Sequence, residues 1–235
     1  MKKQKGYILQ KAKNFVCIAV MQSTNIKTGG PKTDENMVQL YILYPHMKPI
    51  EASIRGLDVH VCGDCKHRHH SGGACYVNLG HGPRATYEAY KNGVYYDAPD
   101  SVEQFLKVVE RDKRAVRFGA YGDPAFISQD LVKKISAVAS KVTGYTHQWK
   151  KRAVDKSLML SVDSLQEKKE ANAKGFRTFR VTFKNDLRKD EIRCLNETDK
   201  KITCIKCGLC DGRRSKKNIA IMVHGTRQKR FSSVA

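Results

Sequence analysis

The first residues suited to metal chemistry lie in a short loop rich in histidine. Cys62, Cys65 and Cys75 follow a C-x2-C-x9-C pattern. Thiolate and imidazole are preferred ligands of zinc, and thiolates also hold iron–sulfur clusters. The histidines near these cysteines are His60, His67, His69, His70 and His81. We therefore predict that residues 58–82 form a metal-binding loop.

A second cysteine group lies near the end of the chain, in residues 194–224. Cys204, Cys207 and Cys210 are three residues apart, with Cys194 upstream and His224 downstream. A tetrahedral zinc site needs four ligands, so either Cys194 or His224 is expected to complete the set. The C-x2-C-x2-C run also fits a cubane iron–sulfur cluster, so spacing leaves Zn²⁺ and iron–sulfur open. The two groups could also share one site.

The remaining composition points to an intracellular protein with an anionic partner. Lysine and arginine number 44 against 23 acidic residues, a formal net charge of +21. Neutralising a polyanion releases counterions, so we expect a nucleic-acid partner, DNA in particular. No apolar run reaches the roughly 18 residues of a membrane span, and cysteines grouped in this way do not predict a disulfide framework. We expect a cytoplasmic location and no membrane partner, and the sequence leaves the oligomeric state open.

Strand-like and helix-like segments alternate over much of the chain. Alternation of this kind predicts one α/β domain over residues 1–235 with a parallel sheet, of the (β/α)-barrel type and incomplete or distorted. The predicted strands are Phe15–Met21, Val38–Leu43, Ala115–Ala120, Thr143–His147, Leu158–Val162, Phe176–Phe183 and Asn218–Val223. The predicted helices are Pro83–Asn92, Ser101–Glu110, Pro124–Lys141 and Ser164–Lys174, and a polar loop is expected over Gln22–Asn36.

Polar residues end several of the predicted strands. Asp123, His147, Asp163 and His224 all occupy such positions. Reactive groups gather at the carboxyl ends of parallel strands, so these residues are candidates for a site. Asp123 precedes Pro124 and Asp163 precedes a serine, so helix capping explains each aspartate equally well.

Three segments resemble the bacteriophage gene-product-88-like proteins. They are Cys62–Asn78 with its Gly73-Ala74-Cys75-Tyr76 ending, Arg117–Pro124, and Thr203–Cys210 followed by Asn218–Gly225. The motifs occur in the same order and span about residues 38 to 225. If the chain is phage-encoded, the location becomes the cytoplasm of the host bacterium.

A more distant similarity is to queuine-type tRNA transglycosylases and the DNA enzymes that insert 7-deazaguanine bases. Those proteins are barrel-like and carry a zinc site of three clustered cysteines and a later histidine. The resemblance implies a pentosyltransferase exchanging guanine for 7-deazaguanine in DNA, with Asp163 as nucleophile and Asp123 as acid/base, or the reverse. The base would then lie against Phe118, Tyr121, Tyr145 or His147.

Two other classes remain open. The three-cysteine loop is similar to the cluster-binding loop of radical S-adenosylmethionine enzymes, although its spacing departs from theirs, so an iron–sulfur enzyme is one alternative. The other is a nucleic-acid-binding protein, stabilised by zinc, in which the aspartates only cap helices. A phosphate-binding P-loop is absent from the sequence, which argues against an NTPase.

Overall fold

The computed structural model describes residues 4–22, 37–182, 186–214, 216–225 and 227–233. Most of the polar loop expected over Gln22–Asn36, and the last residue of the strand expected at Phe176–Phe183, lie outside these ranges. The described strands are β1 (Gly6–Lys11), β2 (Val16–Val20), β3 (Val38–Leu43), β4 (Val116–Tyr121), β5 (Val142–Thr143), β6 (Tyr145–Thr146), β7 (Met159–Val162), β8 (Thr178–Thr182), β9 (Glu191–Arg193) and β10 (Asn218–Met222).

The strands form two five-stranded sheets. The first has the order β1-β2-β3-β4-β5. Its β1–β2 and β2–β3 pairs are antiparallel, and its β3–β4 and β4–β5 pairs are parallel. The second has the order β6-β7-β8-β10-β9 and is parallel throughout. The expected α/β class with parallel strands is confirmed. Both sheets are open in the described residues, where no strand pairing joins the outer strands β1 and β9.

One extended segment contributes to both sheets. The strand expected at Thr143–His147 is divided at Gly144 into β5, which pairs with β4, and β6, which pairs with β7. A Cβ atom at Gly144 would lie 2.7 Å from Leu158 Cδ2 and 2.8 Å from Phe118 Cβ. Glycine therefore permits the close approach of neighbouring side chains where the sheets meet.

Eight helices lie in the described residues. They are α1 (Pro49–Ile54), α2 (Val59–Cys62), α3 (Gly82–Lys91), α4 (Ser101–Arg111), α5 (Gln129–Val138), α6 (Leu165–Ala173), α7 (Leu195–Thr198) and α8 (Cys204–Cys207). None of them is long and apolar enough to cross a membrane. The larger core lies against the first sheet, where α4 buries Phe105 and Val109, one turn apart. A smaller cluster around Trp149 packs against the second sheet.

The helix expected at Pro124–Lys141 is present but shorter, at Gln129–Val138, so its predicted bounds are wrong. A 3-10 turn at Pro124–Phe126 is separated from α5 by Ile127 and Ser128, whose backbone is extended with ψ of 146° and 126°. Helical hydrogen bonding cannot continue through two extended residues, so α5 starts only at Gln129. Its C-cap Ala139 is also extended and leads the chain towards β5.

Candidate metal centres

The first cysteine group lies between β3 and β4, where the chain folds back on itself. Cys62 ends α2, and Gly63 follows with a left-handed φ of 61°. The Cys75 N–H donates to the His67 carbonyl at 2.9 Å, which returns the third cysteine to the first two. Burial raises the pKa of Cys62 well above its usual value, and the nearby Cys75 and Cys65 raise it further. The three half-buried thiols therefore lie in one region.

This loop is attached to the carboxyl ends of the strands. The Asp123 N–H donates to the Val61 carbonyl at 2.7 Å, and Gln148 Nε2 donates to the Cys62 carbonyl at 3.1 Å. These bonds connect the loop to residues that follow β4 and β6. The cysteines therefore lie beside the polar strand ends identified in the sequence.

Asp123 has the structural role of a cap. Its Oδ1 accepts bonds from the Ala125 N–H and the Thr146 hydroxyl, and its Oδ2 accepts from the His147 N–H. Burial nevertheless raises the pKa of Asp123 above its usual value. The side chain fixes the turn after β4 and the backbone of His147.

Asp163 is not a cap, although it precedes α6. Ser164 caps that helix by accepting from the Glu167 N–H, while Glu167 accepts the Asp163 N–H at 2.8 Å. The Asp163 carboxylate is thereby left to face His67, with 2.8 Å between Nε2 and Oδ1. The other carboxylate oxygen, Oδ2, lies 3.6 Å from Lys66 Nζ.

His147 completes this group. Its Nε2 lies 3.8 Å from Asp163 Oδ1, and its ring meets the His67 ring edge to face, with centroids 5.5 Å apart. Burial would lower the pKa of His147, but Cys65 and Asp163 outweigh that effect and raise it well above its usual value. Burial would raise the pKa of Asp163, but hydrogen bonds from His147 and His67 hold it far below. The cluster thus holds an ionised carboxylate beside a cysteine.

The second cysteine group is brought together by β9, β10 and α8. The Cys194 N–H donates to the Ala220 carbonyl at 2.8 Å, which places Cys194 beside β10. Cys204 and Cys207 are the first and last residues of α8, and Gly208 ends it with a left-handed φ of 66°. Burial raises the pKa of Cys210 to about 12, and the thiols of Cys204, Cys194 and Cys207 also act to raise it. All four cysteines therefore surround one region.

His224 lies apart from the electrostatic neighbours of Cys210. Its Nδ1 lies 2.8 Å from the Met222 carbonyl oxygen, and its ring centroid is 5.4 Å from that of Tyr76. Tyr76 follows Cys75, so His224 approaches the first cysteine loop. Of the two candidates for a fourth ligand, Cys194 is the one that the structure brings to Cys210.

The aromatic candidates are mostly core residues. Phe118 and Tyr121 are 1% and 5% exposed. Tyr145 stacks on Phe179 with centroids 3.9 Å apart and also contacts Cys210, next to the second cysteine group. The fourth candidate, His147, is the one whose distance to Asp163 is short, 3.8 Å between Nε2 and Oδ1.

The sequence did not single out His67 from the other histidines of its loop. Nothing local distinguishes it from His69, which lies 3.0 Å from the Val77 carbonyl oxygen, or from His70. Its partner Asp163 is 96 residues away. Predicting this contact requires knowing that the ends of β6 and β7 lie beside the loop after β3.

Ligand spacing differs between the clusters. Among the described residues, one group of three potential ligands has its ligand atoms all within 4.8 Å of one another: His67, His147 and Asp163. Neither cysteine group meets this spacing, although its thiols influence one another electrostatically. The cysteines surround wider spaces than the histidine–aspartate group does.

Comparison with known proteins yields no relative. No protein-family model matches the chain, and no curated protein or solved structure is significantly similar to it. The chemistry of the clusters therefore rests on their own geometry.

Proposed function

We propose that this protein is an iron–sulfur enzyme that acts on nucleic acid. Cys62, Cys65 and Cys75 would hold the reactive cluster, and the second cysteine group would hold a structural one. The proposal rests on the spacing of the thiols. Its cofactor is one of the two that the cysteine patterns allow, the other being Zn²⁺.

The wide separation of the thiols favours a cluster over a single ion. Zinc binds thiolate sulfur at about 2.3 Å, so two sulfurs on one zinc ion lie no more than about 4.6 Å apart. Neither cysteine group gathers three sulfurs within 4.8 Å. A four-iron cluster is larger than one ion and accepts cysteines from a wider shell without drawing them together.

The two groups differ in how completely the protein would ligate the cluster. Four thiols surround the second region, which suits a fully ligated structural centre. Three thiols surround the first, beside the strand ends where His147 and Asp163 lie. When bound, such a cluster supplies one-electron chemistry, and an iron without a thiolate is open to substrate. The strand-end residues would position that substrate.

Nucleic acid is proposed as the substrate because of charge. The formal charge of +21 would attract any polyanion and release its counterions.

The further parts of this proposal are a cytoplasmic location, a relation to the gene-product-88-like proteins, and a distorted barrel. The shared segment around Gly144 supports the barrel, because it joins the two sheets edge to edge.

Metal and sulfide analysis tests the proposal. Protein purified without oxygen should contain iron and acid-labile sulfide, about eight of each per chain for two four-iron clusters. Cys65→Ser should remove about half of both, and Cys207→Ser the other half. Cys17→Ala is the matched control, because Cys17 is fully buried in the core and belongs to neither group. Zinc without sulfide would overturn the iron–sulfur assignment.

A second candidate function is base exchange in DNA, with a 7-deazaguanine as the incoming base. One observation favours it: Asp163 has a pKa below its usual value and Asp123 a raised one. Two carboxyl groups whose pKa values are shifted in opposite directions suit a nucleophile and an acid/base. The three bonds that Asp123 accepts count against it, because an acid/base needs a free oxygen.

Exchange of labelled guanine in DNA tests this candidate. Under base exchange, Asp163→Asn abolishes incorporation, while the control Glu170→Gln, at a side chain 42% exposed, leaves it unchanged. A wild-type protein that exchanges no guanine with any 7-deazaguanine donor eliminates this candidate and leaves the iron–sulfur proposal intact.

A further inference from the structure

We infer that His67, His147 and Asp163 form a binding site for a divalent transition-metal ion, separate from both cysteine groups. The three residues come from the first cysteine loop and from the ends of the neighbouring parallel strands β6 and β7. Their ligand atoms all lie within 4.8 Å of one another. The inference does not depend on which cofactor the cysteines hold.

The distances fit one shared ion. Metal–nitrogen and metal–oxygen bonds are about 2.1 Å, so two ligands of one ion lie between about 3.0 Å, at right angles, and about 4.2 Å, when opposite. Asp163 Oδ1 lies 2.8 Å from His67 Nε2 and 3.8 Å from His147 Nε2. An ion would take the place of the histidine–aspartate hydrogen bond, with a slight lengthening of that 2.8 Å separation.

The surroundings hold these side chains in place. The His67 ring stacks on Phe231, with an interplanar angle of 6°, and is only 7% exposed. Its Nδ1 is buried without a hydrogen-bond partner in the described residues. With an ion on Nε2, the proton of the neutral ring would lie on this Nδ1. The Glu167 bond to the Asp163 N–H fixes the carboxylate.

The charge of the site permits a dication. Lys66 is one competing cation, 3.6 Å from Asp163 Oδ2, but its side chain is 42% exposed and can turn into solvent. The ion would also have to displace the proton from His147. Two imidazoles and one carboxylate suit ions such as Fe²⁺ and Mn²⁺, whereas thiolates select zinc and iron–sulfur clusters. Two histidines and a carboxylate leave coordination positions open.

The cluster is most accessible on the side of His147. The His147 side chain is 30% exposed, while those of His67 and Asp163 are 9% and 6% exposed. Water or a substrate oxygen would reach the ion past His147. His147 is also within hydrogen-bond reach of Cys65, so the ion would lie next to the first cysteine group. Asp163 as a ligand would not be free to act as a nucleophile.

Manganese binding tests the site, because Mn²⁺ has little affinity for thiolates. Equilibrium dialysis of the full-length protein against Mn²⁺ alone should show one saturable site. His67→Gln, His147→Gln and Asp163→Asn should each weaken it at least tenfold. The exposed His81→Gln and the double variant Cys204→Ser/Cys207→Ser should leave it unchanged. Variants are compared only at equal far-UV circular dichroism.

Cobalt gives a measurement that does not depend on variants. The first equivalent of Co²⁺ added to the wild type should produce d–d bands without sulfur-to-cobalt charge transfer. Mn²⁺ should displace that cobalt. The inference is overturned if wild-type protein binds no Mn²⁺, or if the three substitutions leave Mn²⁺ affinity unchanged. Loss of iron from the cysteine variants with Mn²⁺ binding retained separates this site from the proposed clusters.

Discussion

Replacing Glu191 by glutamine should destabilise the second sheet and the cysteine group that it supports. Glu191 lies on β9, three residues before Cys194. Its two carboxylate oxygens accept from Arg180 Nε and Nη2 at 2.7 and 2.6 Å. The two side chains are 0% and 4% exposed, so this buried ion pair connects β9 to β8, the two strands that flank β10.

The magnitude follows from the charge left behind. Removing one partner of a buried ion pair costs about 3–5 kcal/mol, because the other charge stays buried without compensation. Arg180 keeps a second carboxylate, Asp186, at 2.7 Å. Lys168, whose Nζ lies 3.5 Å from Glu191 Oε1, keeps its ion pair with Asp190. We therefore expect the lower end, about 3 kcal/mol. For a chain of this length that lowers Tm by about 6–12 °C.

Urea and thermal unfolding, followed by circular dichroism at matched metal content, measure this effect. Glu170→Gln is the control, since Glu170 lies on α6 with a side chain 42% exposed and should change stability by less than about 0.5 kcal/mol. The weakened β9 should also release the metal of the second cysteine group faster to a chelator. A loss below about 1 kcal/mol for Glu191→Gln would refute the assigned role of this pair.

Three further predictions follow. Burial would raise the pKa of Glu191, but Arg180 outweighs that effect and holds the pKa below the usual 4.5. The stability that the ionised carboxylate provides is therefore present above pH 4.5 and lost as pH falls. In acid unfolding curves, the stability of the wild type should approach that of Glu191→Gln. Gly122→Ala should lower the unfolding free energy by more than the ~1–2 kcal/mol expected for Gly93→Ala. Both glycines have a left-handed φ, but only at Gly122 would a Cβ meet a backbone atom, Ile42 O at 2.6 Å. Urea titrations of both variants measure the difference. Affinity for random-sequence duplex DNA, measured by fluorescence anisotropy, should fall by at least about tenfold between about 50 and 200 mM salt; a salt-independent affinity would contradict a charge-driven partner.

Patterns local in sequence predicted much of this structure. The helices at Gly82–Lys91 and Ser101–Arg111, and strands β3, β4 and β10, lie within a residue or two of their expected bounds. Hydrophobic periodicity and turn residues determine such elements over short distances. The strand β1 was missed, because its alternation is short and follows a run of lysines. The break at Gly144 was also missed, because pairing with two different neighbours is a property of the sheets.

The candidate site was predictable only in parts. Sequence spacing identified the cysteines of both groups, and strand ends identified His147 and Asp163. The same reasoning treated the two aspartates alike, whereas the structure gives Asp123 a capping role and leaves the Asp163 carboxylate to histidines. Which side chain a carboxylate faces depends on contacts between residues far apart in sequence.

The glycine between β5 and β6 has a consequence for how the molecule unfolds. Each sheet takes one of its edge strands from the same five-residue stretch, so melting either sheet releases one end of an edge strand of the other. The two halves should therefore lose structure in a single cooperative step, with equal calorimetric and van't Hoff enthalpies. Fragments separated at this position should remain unfolded alone and regain structure only when mixed.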